Sequence, residues 1–241
     1  MRNTTFRGFR PLPAAVLLAV LLGCGGDLVL PDPLGADLDM SIVEGDQQRG
    51  PVGEQLALPL VVKVFAPGNR PASGRRVAFV STTAGAGFLV PDTTETNERG
   101  EAVANWVLGS VPGEQVVEAR LVTDLEQPPI AQFFASAHAG SPDTLRGLLP
   151  LGRPGRRGDT LEEPLVVVAL DRFGNLVPNL AVDWAVTVGE GDLSAQQTLT
   201  GADGTASVFW TLGGRIGVQK VTATAAVPNG SPVTFSATVL F

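Results

Sequence analysis

The chain has 241 residues, 17 of them basic and 24 acidic, for a formal charge of −7, with one cysteine, one histidine and no tyrosine. The acidic surplus gives no basic face for nucleic acid, and a single cysteine permits no disulfide within the chain. One histidine and one cysteine leave zinc sites and Cys/His nucleophile pairs short of side chains.

Arg2, Arg7 and Arg10 precede a short apolar run at residues 13–22. That is the order of a targeting segment, and the run is too short to span a bilayer. It ends in Leu21-Leu22-Gly23-Cys24, which resembles the lipobox of bacterial lipoproteins, where the cysteine is lipidated and becomes the first residue of the mature chain. The resemblance implies a lipoprotein signal peptide over residues 1–23, a lipobox of Leu21, Leu22 and Gly23, and lipidation at Cys24. The membrane is then a partner through the lipid anchor. Removing residues 1–23 takes away three arginines and no acid, which moves the formal charge from −7 to −10. Gly25 and Gly26 lack the aspartate that retains lipoproteins in the inner membrane, so the same resemblance implies outer-membrane anchoring and leaves the face open.

Residues 24–44 are rich in Gly, Pro and Asp and read as a flexible tether. Residues 45–138 and 146–241 read as two domains joined by a connector at 139–145. The Gly and Pro residues between Gly140 and Gly158 predict a joint that bends. Both domains read as all-β. Leu58, Leu60, Val62 and Val64 alternate with Pro59, Val61, Lys63 and Phe65. Ala102, Ala104, Trp106 and Leu108 share one face of a strand, as do Ala206, Val208, Trp210 and Leu212. Further strands are predicted at 77–80, 115–121 and 132–137, with counterparts at 182–188, 219–225 and 233–239. No segment of the mature chain shows a capped helical period. The pattern predicts two β-sandwiches with Greek-key connections.

The two domains repeat one another. Trp106-Val107-Leu108-Gly109 returns 104 positions later as Trp210-Thr211-Leu212-Gly213, and Gly100, Ala102, Gly113 and Gln115 return as Gly204, Ala206, Gly217 and Gln219. A period near ~100 residues fits tandem copies of a small domain. The second copy carries Asp171-Arg172-Phe173-Gly174-Asn175, Pro178, Trp184, Gly189-Glu190-Gly191-Asp192-Leu193, Thr200, Gly204, Ala206, Leu212-Gly213 and Phe235-Ser236-Ala237. The first keeps Gly68-Asn69, Pro71, Phe79, Gly85-Ala86-Gly87-Phe88-Leu89, Thr96, Gly100, Ala102, Leu108-Gly109 and Phe133-Phe134-Ala135. This order of motifs resembles the group 1 bacterial immunoglobulin-like domain of intimin- and invasin-type adhesins. The resemblance implies two tandem immunoglobulin-like sandwiches. The first copy lacks the aspartate before Gly68-Asn69, so its turn is expected to close differently.

No catalytic constellation emerges and no cofactor is expected; the chain is read as a non-enzyme. His138 reads as a solvated histidine at a domain end. Glu162, Glu163, Glu190, Asp192 and Asp203 read as solvated turn acids. Asp143, Asp159 and Asp171 lie near the joint and are the candidates for calcium, but they lack the alternating spacing of a dedicated loop. Arg157-Gly158-Asp159 matches a tripeptide read by animal integrins; Arg49-Gly50-Pro51 at the corresponding place favours a turn that opens each domain. Arg146, Arg153, Arg156 and Arg157 form the one basic cluster of the mature chain, either solvated linker or a contact for lipid headgroups or an acidic polymer. Trp106, Trp184 and Trp210 are predicted core. The expected function is a membrane-anchored envelope lipoprotein whose modules act as spacer or interaction stalk. The alternative is an adhesin taking a protein or glycan ligand on loops of the second module.

Overall fold

The structure, a computed structural model, describes residues 38–148 and 153–240. The described residues hold strands and no helix. The first ten strands are β1 (Asp39–Glu44), β2 (Gln48–Pro51), β3 (Leu60–Ala66), β4 (Arg70–Pro71), β5 (Arg76–Ser81), β6 (Phe88–Val90), β7 (Thr93–Glu95), β8 (Glu101–Val107), β9 (Gly113–Leu121) and β10 (Ile130–His138). They form a sandwich of two sheets, β1-β3-β8-β6 with β4 beside β3, and β2-β10-β9-β5-β7. The next ten are β11 (Pro142–Gly147), β12 (Arg153–Gly155), β13 (Leu165–Asp171), β14 (Ala181–Val188), β15 (Asp192–Leu193), β16 (Gln197–Leu199), β17 (Thr205–Val208), β18 (Trp210–Thr211), β19 (Gly217–Thr224) and β20 (Val233–Val239). They repeat the plan as β11-β13-β17, with a separate β15-β18 pair, facing β12-β20-β19-β14-β16. In each copy the short second strand pairs parallel with the last, β2 with β10 and β12 with β20; the other strand-to-strand ladders are antiparallel.

Period-2 alternation drives one face of each strand inward. Leu60, Val62, Val64, Ala102, Ala104, Trp106, Val117, Ala119 and Phe133 are among the residues of one core; Leu165, Val167, Ala169, Val208, Trp210, Val221, Ala223 and Phe235 are among those of a second. The three tryptophans are core, at 0, 3 and 1% exposure for Trp106, Trp184 and Trp210. Gly100 and Gly204 sit at φ +77° and +66°, where the turn into β8 and β17 leaves no space for a side chain: a Cβ on Gly100 would stand 2.6 Å from the carbonyl oxygen of Val64.

The buried polar residues also repeat. Gln115 accepts from the N–H of Gly109 and donates to the carbonyl of Val111, each at 2.9 Å. Gln219 does the same with Gly213 and Arg215, each again at 2.9 Å. Thr96 Oγ1 donates to Ala72 and accepts from the N–H of Arg75; Thr200 Oγ1 donates to Val177 and accepts from the N–H of Leu180. These side chains replace the water that loop backbone loses on burial.

Three expectations change. β1 takes residues 39–44 out of the expected tether, pairing with β3. Its signal was faint because Met40 is its one buried residue. β11 likewise takes 142–145 out of the expected connector and inserts Leu145 into the second core, leaving residues 139–141 as the link. Leu58 is exposed, because β3 begins at Leu60, after Pro59. As expected, the first copy's turn closes without an aspartate: Arg70 Nε donates to the carbonyl of Pro67, and Gly68 and Asn69 take positive φ.

Candidate functional site: the junction between the sandwiches

The 171–175 turn follows β13 and faces the end of the first sandwich. Asp171, 3% exposed, accepts four hydrogen bonds at 2.9 Å: from the N–H of Phe173, the N–H and Nδ2 of Asn175, and the N–H of Gly140 in the link. Burial alone would raise the carboxyl's pKa. The Asn175 amide and the three backbone N–H groups outweigh burial and hold it below the ordinary carboxylate value. One side chain thus closes its own turn and pins the link.

The rest of the turn grips the first sandwich. Asn175 Nδ2 also donates to the carbonyl of Ser110 at 2.8 Å, and Arg172 Nη2 approaches the carbonyl of Gly53 at 3.4 Å. The Arg172 guanidinium lies 4.6 Å from the Phe173 ring centroid. Gly53 makes room for that ring: a Cβ there would stand 2.5 Å from Phe173 Cζ. Val52 is 1% exposed beneath the link. The joint that was expected to bend is therefore held by hydrogen bonds and by an aromatic seated on a glycine. Beside it, Phe88, Val107 and Phe173 border a shallow apolar notch floored by Gly53, Gly85, Gly87 and Gly109.

Leu21, Leu22, Gly23 and Cys24 lie outside the described residues. The three candidate calcium acids each satisfy their carboxylates with separate partners. Asp143 accepts from Thr144 and Asn229, Asp159 from the N–H of Arg156, and Asp171 is filled by N–H donors. Arg157-Gly158-Asp159 is a turn, as expected, but it follows β12 rather than opening the second sandwich, and its counterpart is Val52-Gly53-Glu54, not Arg49-Gly50-Pro51: the N–H of Asp159 meets the carbonyl of Arg156, and the N–H of Gly158 that of Leu212. In the first sandwich Glu54 meets Pro51 and Gly53 meets Leu108 in the same way. His138 is exposed and sets Nδ1 2.7 Å from the carbonyl of Gly50. The roles of Gln115, Gln219, Thr96 and Thr200 were missed. Their recurrence at one offset was the available signal.

Among solved structures, the Escherichia coli adhesin FdeC aligns with 88% of this chain and 66% of its own, at 19% identity and a TM-score of 0.52. The fold is that of the immunoglobulin-like modules of a bacterial adhesin. The Yersinia pseudotuberculosis adhesin InvE aligns with 85% of this chain and 60% of its own, at 18% identity and a TM-score of 0.38. The D00-D0 domain of intimin aligns with 85% of this chain and 100% of its own, at 13% identity and a TM-score of 0.42. The chain thus spans about two thirds or less of the FdeC and InvE structures. No protein-family model and no curated protein matches the sequence.

Proposed function

We propose that this chain is a non-enzymatic envelope lipoprotein, anchored to the outer membrane through Cys24, in which two immunoglobulin-like modules act as a spacer or interaction stalk. The observation that carries the spacer reading is the pinned junction. The N–H of Gly140 on Asp171, with Asn175 and Phe173 seated on the first sandwich, favours two modules that move as one stiff element. A stalk needs that stiffness; a pair of independent binding modules on a loose string does not. The fold shared with FdeC favours an adhesin as the second reading, with loops of the second module as contact surface.

Protease shaving of intact cells, with mass spectrometry of released and retained peptides, tests both. Acyl mass on a retained Cys24 peptide is the expected result, and an unmodified Cys24 overturns the anchor. Release of peptides from both modules favours an outward-facing stalk and a ligand search. Protected modules place the spacer on the periplasmic side.

A further inference from the structure

The far end of the second sandwich is built like the end of the first that carries the junction, yet its side chains differ. The same hydrogen bonds and ladder registers set the correspondence. Gly158 meets Leu212 as Gly53 meets Leu108, Gln219 holds Arg215 as Gln115 holds Val111, and Gly217 pairs with Val239 as Gly113 pairs with Ala137. At these matched places Pro51, Val52 and Val111 are replaced by Arg156, Arg157 and Arg215, all three exposed. Pro112, Glu114 and His138 are replaced by Ile216, Val218 and Leu240, which are 39, 54 and 52% exposed. Where the first sandwich buries Val52 beneath its neighbour, the second presents a guanidinium to solvent. A Cβ added to Gly158 would meet nothing within 4 Å.

We infer that this end docks on an anionic lipid surface. The three arginines stand on two adjacent loops, and guanidinium forks match phosphate oxygens. The exposed aliphatics flank the last Gly217–Val239 pair, which sets cation and hydrocarbon side by side, the composition of a membrane-interface contact. An anionic polymer would use the arginines and leave the aliphatics without purpose. Acids also stand here. Asp159 turns back to accept the N–H of Arg156, Glu190 is exposed on the neighbouring loop, and the exposed Glu162 and Glu163 line a groove with Asp159, Glu163 pairing with Arg153, so the three arginines act as local phosphate contacts rather than as a net cationic field and the aliphatic contact is needed. β1 starts beside the 67–69 turn, at the opposite end of the first sandwich.

Flotation of the purified full-length chain with vesicles of phosphatidylcholine, with and without phosphatidylglycerol, tests the inference. The readout is the gain in binding that phosphatidylglycerol brings. Replacing Arg156, Arg157 and Arg215 together by Ser is expected to cut that gain roughly a hundredfold, at about fivefold per basic residue. Lysines at the same positions keep the charge but lose the fork, and are expected to retain part of it, which also controls for folding. Ile216→Ser with Leu240→Ser is expected to weaken it further. Cys24→Ser reads the anchor separately, through binding to phosphatidylcholine alone, so the two proposals fail distinguishably. An unchanged gain in the triple Ser variant overturns the inference. So does full competition by dextran sulfate with the aliphatics dispensable, which assigns the end to an anionic polymer.

Discussion

Trp106 and Trp210 occupy the same place in the two copies and differ in one bond. The indole N–H of Trp106 donates to the carbonyl of Ala86 at 2.8 Å, whereas that of Trp210 is buried without an acceptor among the described residues. Trp210→Ala is expected to cost about 3–5 kcal/mol in urea unfolding; a value below about 1 kcal/mol would refute its core placement. Replacement by Phe separates the pair. Trp106→Phe strands the Ala86 carbonyl and is expected to cost about 1–3 kcal/mol more than Trp210→Phe. Asp171 supplies a pH dependence of determinate sign. Its folded pKa lies below the ordinary carboxylate value, so its contribution is full above that value and fades as pH falls through the folded pKa. Acid titration of the second sandwich's unfolding midpoint is expected to show this loss below about pH 4, and Asp171→Asn to flatten it.

At the scale of elements, the junction is the test of the stiff-spacer reading. Gly53→Ala drives a methyl group into the Phe173 ring at a residue with φ +72°. Small-angle scattering is expected to show a broader spread of inter-module arrangements, with both sandwiches still folded. An unchanged scattering profile would mean that Phe173 does not hold the joint. The long central strands were legible in the sequence because one face is apolar at every second position, as in Ala102, Ala104 and Trp106. β1 and β11 were not, since edge strands here bury one residue each and their remaining positions read as linker. Asp171 was legible as a motif residue, but its bond to Gly140 was not, because local sequence does not state which backbone N–H a turn will meet 31 residues upstream.

Across the whole molecule, two cores share a small, directional contact. Calorimetry of the parent chain is expected to show the sandwiches melting close together, and Asp171→Ala to pull the two transitions apart, since removing the carboxylate frees the link and leaves Asn175 without its orienting partner. Coincident transitions in the variant would show that the cores are coupled by another route. The grip on the first sandwich has a further property. Arg172 and Asn175 approach the carbonyls of Gly53 and Ser110, and Asp171 takes the N–H of Gly140, so the hydrogen bonds across the joint use only main chain on the receiving side. Such a socket survives almost any drift of the side chains around it, provided one glycine stays. What the turn asks of its neighbour is thus a backbone shape rather than a set of side chains, so substitutions around Ser110 and Gly140 are expected to leave the grip in place.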